Sequence, residues 1–196
     1  VDAVTDNPFD ALLGGGRLAA LIDELTAARL TVATAESLTG GLLTAALTSV
    51  PGSSAVVRGG LVVYATDLKH TLAGVDPGLL AAHGPVHPEV AAALADGARR
   101  SCDALIGVGL TGVAGPDAQG GVSPGTWFVA AAGPAGLLTA QGSGGVGASD
   151  DETDDAAGAI AGGGDASPTL TRHRIRIAAV NAALTLLREH CAVGRR

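Results

Sequence analysis

Apolar positions recur along the chain in two alternating rhythms. Residues 17–29 set Leu18, Leu21, Ile22 and Leu25 at helical spacing, which predicts an amphipathic helix. Residues 30–35 then mix β-branched and apolar side chains, as a buried strand does. Glu36 and Ser37 end that run, and Thr39, Gly40 and Gly41 open a helix over residues 42–50. Pro51-Gly52 stops it. The succession repeats. Residues 58–65 predict a second strand with Tyr64 near its end. Thr66 is the expected N-cap of a short helix that carries Lys69 and closes at Gly74. Residues 77–83 read as a helical turn closed by Gly84. His87-Pro88-Glu89 opens a helix through Cys102, with proline at its first position. Residues 103–110 predict an apolar strand that runs directly into a second glycine-bearing junction, Thr111, Gly112, Val113, Ala114 and Gly115. Residues 126–132 and 137–141 suit a hairpin. Residues 172–190 form the last helix, with Ile175, Ala179, Ala182, Ala183 and Leu186 facing inward.

Strands alternating with helices predict an α/β fold: a three-layer α/β/α sandwich with a mixed, mostly parallel sheet. The hairpin is what makes the sheet mixed. At 196 residues one domain is the default. It spans residues 14–192, behind a flexible arm at 1–13. Gly, Ala, Ser and Asp dominate residues 142–168, which predicts a disordered surface insertion. This insertion lacks the regular oxygen-ligand spacing of a calcium loop. The basic tail at 193–196 is expected to be loose.

Composition changes this picture in three places. Aromatic residues make up only 2% of the chain, so Ala, Val and Leu must fill the core. The net charge of −7 is concentrated: six acids (Asp150, Asp151, Glu152, Asp154, Asp155, Asp165) lie in the insertion, and the remainder carries −1. A nearly neutral body has no basic patch for nucleic acid. No apolar run approaches the roughly 20 residues of a membrane span, and no leader pattern opens the chain. The two cysteines, Cys102 and Cys191, match no metal or redox spacing. Together these features predict a cytoplasmic setting, with no membrane partner.

The third change concerns chemistry. Arginine occurs eleven times and lysine once, at Lys69; Tyr64 is the only tyrosine. Arginine keeps its proton in proteins, whereas lysine can act as a base when its pKa is lowered. Lys69 is therefore a candidate base, or else one lysine left on the surface. Ser37 stands at a strand end beside a helix start, where it either caps the helix or faces an anion. Serine needs a base to become a nucleophile, and Ser-Lys arrangements meet that need. Tyr64 could orient the lysine or relay a proton, and the Thr111–Gly115 junction offers amides to an anion. This set points to acyl transfer or amide hydrolysis without a metal or cofactor. Walker-type, G-x-G-x-x-G, G-x-S-x-G and His-rich metal patterns are absent.

The segments AESLTGG (35–41), PGSS (51–54), GGLVVYATDLK (59–69), LAGV (72–75), HGPVHPEV (83–90), LTGVAGP (110–116) and PGT (124–126) resemble the CinA C-terminal domain family in order and spacing. The resemblance covers about residues 15–140 and, more loosely, 170–190. It implies a nicotinamide mononucleotide deamidase, an amidohydrolase of pyridine nucleotide salvage and NAD metabolism. It also implies a homodimer. By resemblance Ser37 attacks the carboxamide carbon, Lys69 is its base and Tyr64 hydrogen-bonds within that pair. Amides of Thr39, Gly40 and Gly41 would steady the oxyanion, with Thr39 as the helix cap. Glu36 would order the hinge or meet the pyridinium. The phosphate would sit against Thr111, Gly112 and Gly115 or against Arg172. Three departures stand out. Leu38 replaces the family's usual Cys and His87 its usual Ser. Leu170-Thr171-Arg172, with Arg176 four residues on, replaces a Gly-Asp-Arg. The family's second, molybdopterin-binding-like domain has no counterpart in these residues. The departures leave an alternative: a catalytically inactive nucleotide-binding or protein-interaction module of the same fold.

Overall fold

The computed structural model describes residues 9–14, 16–143 and 168–193. The elements run α1 (Asp10–Leu13), α2 (Arg17–Ala28), β1 (Val32–Glu36), α3 (Leu42–Thr48), a 3-10 turn (Ser53–Ala55), β2 (Val57–Val62) and α4 (Thr66–Thr71). They continue with α5 (Pro77–His83), α6 (Pro88–Ser101), β3 (Ile106–Gly112), β4 (Thr126–Gly133), β5 (Gly136–Ser143) and α7 (Pro168–Val193).

The sheet order is β2-β1-β3-β4-β5. The β1–β2 and β1–β3 ladders are parallel; the β3–β4 and β4–β5 ladders are antiparallel. Glu36 at the end of β1 lies opposite Val62 on one side and Leu110 on the other. The carboxyl ends of three parallel strands therefore share one edge of the sheet, where open α/β folds place their binding crevice.

Side chains alternate between two apolar layers. Val32, Ile106, Val108 and Leu110 pack with Leu18, Leu21 and Leu25 of α2, Leu43 and Leu47 of α3, and Val180, Ala183 and Leu187 of α7. Ala33, Ala35 and Val63 face the other way, onto Ala73, Val75 and Val90, Leu94 and Ala98 of α6. On that second face β3 shows Thr111 at its end and, where α6 crosses it, Gly107 and Gly109. A Cβ at either would collide with the carbonyl of Ala95 or of Ala91. Helix α6 thus lies backbone against backbone on β3, so an aromatic-poor core reaches native density by close approach rather than bulk.

Several expectations need correction at their edges. The flexible arm was expected through residue 13, but Asp10–Leu13 form a helical turn and Leu13 is buried in the core. The insertion was expected from residue 142, yet Gly142 and Ser143 complete β5, paired with Trp127 and Thr126. Gly142 suits that position because its missing side chain leaves room for the Trp127 ring. Pro168 already belongs to α7. The rest of the insertion, 144–167, and the tail from 194 lie outside the described residues, as do 1–8. Helix α4 begins one residue earlier than expected: Thr66 is inside it, and Ala65, without a side-chain cap, precedes it. No helix among the described residues is long and apolar enough to cross a membrane.

Candidate active site

Every residue of β1 is buried, and the Ser37 amide extends its ladder by donating to the Leu110 carbonyl at 3.0 Å. The chain then turns sharply: the Gly40 amide donates to the Ser37 carbonyl at 3.0 Å, and Gly40 and Gly41 take φ values of +59° and +91°. L-side chains are strained there, so this hinge depends on the glycine pair. Ser37 emerges only 7% exposed, with its side chain in the wall of a cavity.

The residue that meets it comes from α4. Lys69 is 1% exposed, and its Nζ donates to Ser37 Oγ at 3.0 Å and to the Val63 carbonyl at 2.9 Å. Both ion pairs among the described residues use Asp96, so no carboxylate compensates this ammonium. Burial alone lowers its pKa to about 8. A second tie fixes the pair, because the Val63 amide donates to the Glu36 carbonyl at 2.8 Å and locks the end of β2 to the end of β1.

Glu36 does not meet the cavity. It is fully buried, and its carboxylate accepts from the amides of Leu43 (3.0 Å) and Thr44 (2.8 Å) and from the Thr44 hydroxyl (2.6 Å). The expected substrate contact is thereby corrected: Glu36 occupies the positive end of α3, where a carboxylate satisfies otherwise orphaned donors. Thr39, the expected cap, makes no side-chain cap. Gly41 stands at that position, and the buried Thr39 hydroxyl has no partner. Its carbonyl instead accepts from Arg176 Nη2 at 2.6 Å. Arg176 holds the hinge, a role the sequence did not signal. The Gly40 amide, engaged with Ser37, is not free for an oxyanion.

The cavity measures about 230 Å³. Ser37, Tyr64, Gly112, Gly115 and Arg172 all line it, together with Leu38, Asp117 and Gln119, which sequence reasoning missed. Thr111 does not line it. Its side chain is buried, and its hydroxyl donates to the Pro85 carbonyl at 2.7 Å, so the expected phosphate contact from that side chain is corrected. Tyr64 is placed differently from expectation as well. Its hydroxyl accepts from Arg172 Nη2 at 2.9 Å rather than joining Ser37 and Lys69, and its side chain is 59% exposed. Arg172 Nη1 donates to the Gly115 carbonyl at 2.5 Å. Helix α7 therefore reaches both loops of the cavity mouth through one guanidinium. Among the described residues no cluster of His, Cys, Asp and Glu could hold a metal ion.

A family model for the CinA C-terminal domain matches residues 17–159. A CinA-like protein of Frankia casuarinae is 52% identical over 109 residues, covering 56% of this chain and 25% of that protein. A CinA-like protein of Anaeromyxobacter sp. (strain Fw109-5) is 50% identical over 136 residues, covering 67% of this chain and 33% of that protein. The chain thus spans a quarter to a third of the length of these curated relatives. Two solved structures align over nearly their whole length. The competence/damage inducible protein CihA of Agrobacterium tumefaciens has a TM-score of 0.73 at 31% identity, covering 92% of this chain and 95% of its own. The competence-damaged protein (CinA) superfamily protein of Escherichia coli has a TM-score of 0.73 at 25% identity, covering 96% and 94%. With the model match spanning well over half its length, the chain belongs to the CinA C-terminal domain family.

Proposed function

We propose that the protein is a metal-independent amidohydrolase that converts nicotinamide mononucleotide to nicotinate mononucleotide and ammonia. The observation that carries this reading is the 3.0 Å contact between a buried, unpaired Lys69 and a serine in a cavity wall. With a pKa of about 8, roughly a tenth of the lysine is neutral at pH 7. The neutral amine takes the Ser37 proton as Oγ attacks the carboxamide carbon. The ammonium so formed returns that proton to the leaving nitrogen, and ammonia departs. Lys69 then deprotonates the water that opens the acyl-enzyme. The Val63 carbonyl keeps Nζ aimed at Ser37 throughout. Thr39, Gly40 and Gly41 do not line the cavity, so the expected oxyanion contact from their amides forms no part of this reading. Arg172 and the Gly112–Gly115 backbone form the end of the cavity suited to the phosphate.

The test is ammonia release from nicotinamide mononucleotide. Ser37→Ala and Lys69→Arg are each expected to lower kcat by about 10²- to 10⁴-fold, and the wild-type rate to rise with pH through about 8. Retained activity in Lys69→Arg would sink the base role, because arginine keeps its proton. A second reading, a nucleotide-binding module without turnover, is favoured by one observation: Arg172 already has partners in Tyr64 and Gly115. Calorimetric binding that Ser37→Ala leaves unchanged, with no ammonia released by the native protein, would select it.

A further inference from the structure

The Tyr64 hydroxyl has its partner outside the Ser-Lys pair, on Arg172 at 2.9 Å. Lys69 Nζ is directed to Ser37 and to the Val63 carbonyl instead. Tyr64 lines the cavity beside Ser37, and its hydroxyl is held by a guanidinium that lines the same cavity. The side chain is 59% exposed and stands in the same wall as Ser37, with its tip fixed by a guanidinium. Asp117, also exposed, lines the same cavity. It forms no ion pair with Arg172 or with any other cation among the described residues. The cavity wall thus holds an aromatic side chain and a carboxylate with no ion pair, beside one guanidinium, Arg172, whose donors are engaged by Tyr64 and Gly115; the first two attract positive charge.

The proposed substrate carries such a charge. Its pyridine ring is quaternised by the ribose, and the carboxamide carbon is bonded directly to that ring. When this carbon reaches Ser37 Oγ, the charged ring lies within the cavity that Tyr64 and Asp117 line. We propose that Tyr64 and Asp117 are specificity-determining residues that select the positively charged pyridinium, Tyr64 through its ring face and Asp117 through its carboxylate. This rests on the amidohydrolase reading and adds to it. The ring oxidation state becomes part of what the site recognises, and the Tyr64 hydroxyl serves to hold the ring in place rather than to move a proton.

The experiment compares two ligands that differ by one hydride at the ring: nicotinamide mononucleotide, and its 1,4-dihydro form, whose ring is neutral and no longer aromatic. Both are titrated by calorimetry into Ser37→Ala, which keeps the ligand intact. The charged form is expected to bind roughly three- to thirty-fold more tightly. Tyr64→Leu in the same background should bring the two affinities close together, Tyr64→Phe should keep them apart, and Asp117→Asn should narrow the gap. Equal affinities without the second substitution, a gap that survives Tyr64→Leu, or a gap lost in Tyr64→Phe would each overturn the proposal. Any of those results leaves the nucleotide reading standing, since both ligands bind. Binding of neither ligand overturns that reading, and this inference with it.

Discussion

Two fully buried basic side chains sit far apart in this molecule, and they differ in what they touch. Lys69 lies beneath the carboxyl ends of β1 and β2, 1% exposed, and one of its bonds runs to a cavity-lining serine. His190 lies near the end of α7, fully buried. Its Nδ1 accepts from the Ala135 amide at 3.1 Å, and its Nε2 stands 3.3 Å from the Ala131 carbonyl. This pattern fixes the neutral tautomer with the proton on Nε2. Desolvation lowers both pKa values. A lowered pKa therefore does not separate the two; their partners do. His190 binds only backbone and pins the β4–β5 turn to α7. Lys69 binds a side chain that can react.

The largest effect expected from this contrast is at Lys69. Lys69→Met should abolish ammonia release, a loss of about 10²-fold or more. The same change should stabilise the fold by about 1–3 kcal/mol, because the gain from removing an uncompensated buried ammonium exceeds the cost of leaving the Val63 carbonyl and Ser37 Oγ without their donor. Thermal or denaturant unfolding at pH 7 measures it. A Lys69→Met protein less stable than wild type would make this lysine structural, as His190 is. His190→Leu should do the reverse. It strands the Ala135 amide and the Ala131 carbonyl, so unfolding should become easier by about 2–4 kcal/mol, while kcat per folded molecule stays near wild type. A comparable fall in kcat would tie the β4–β5 turn to the site and break the distinction.

The contrast also shows what a sequence exposes. The Ser37–Lys69 pair was legible because a chain with eleven arginines has a single lysine, five residues after a strand-end tyrosine. The alternating layers were legible because apolar spacing follows strand and helix periods. Glu36 was not. Capping rules are local, and here a carboxylate caps from the preceding strand, seven and eight residues before the amides it accepts from. Tyr64 was expected beside Ser37 and lines the same cavity, but its hydroxyl meets an arginine 108 residues away instead of the Ser-Lys pair. Asp117 and Gln119 had no signal beyond following a glycine-proline turn. The strand end at Gly142 was hidden by its glycine-rich composition, although a Trp127 neighbour needs that residue to be small.

The smallest effect is the most discriminating, because it reads both residues in one profile. Where the folded pKa lies below the unfolded one, the unfolded chain holds more protons between the two values, and stability rises with pH across that window. For Lys69 the window runs from about 8 to 10.5, worth up to about 3 kcal/mol at 1.36 kcal/mol per unit. For His190 it lies below 6.5, so stability should fall as acid protonates the unfolded histidine and not the folded one. Unfolding free energies measured from pH 5 to 10.5 should therefore rise on both limbs, with a flatter stretch between them. Lys69→Met should flatten the alkaline limb and spare the acid limb; His190→Leu should do the opposite. If one substitution flattened both limbs, the two buried bases would be coupled through the sheet, and the separation between a reactive end and a purely structural end would have to be abandoned.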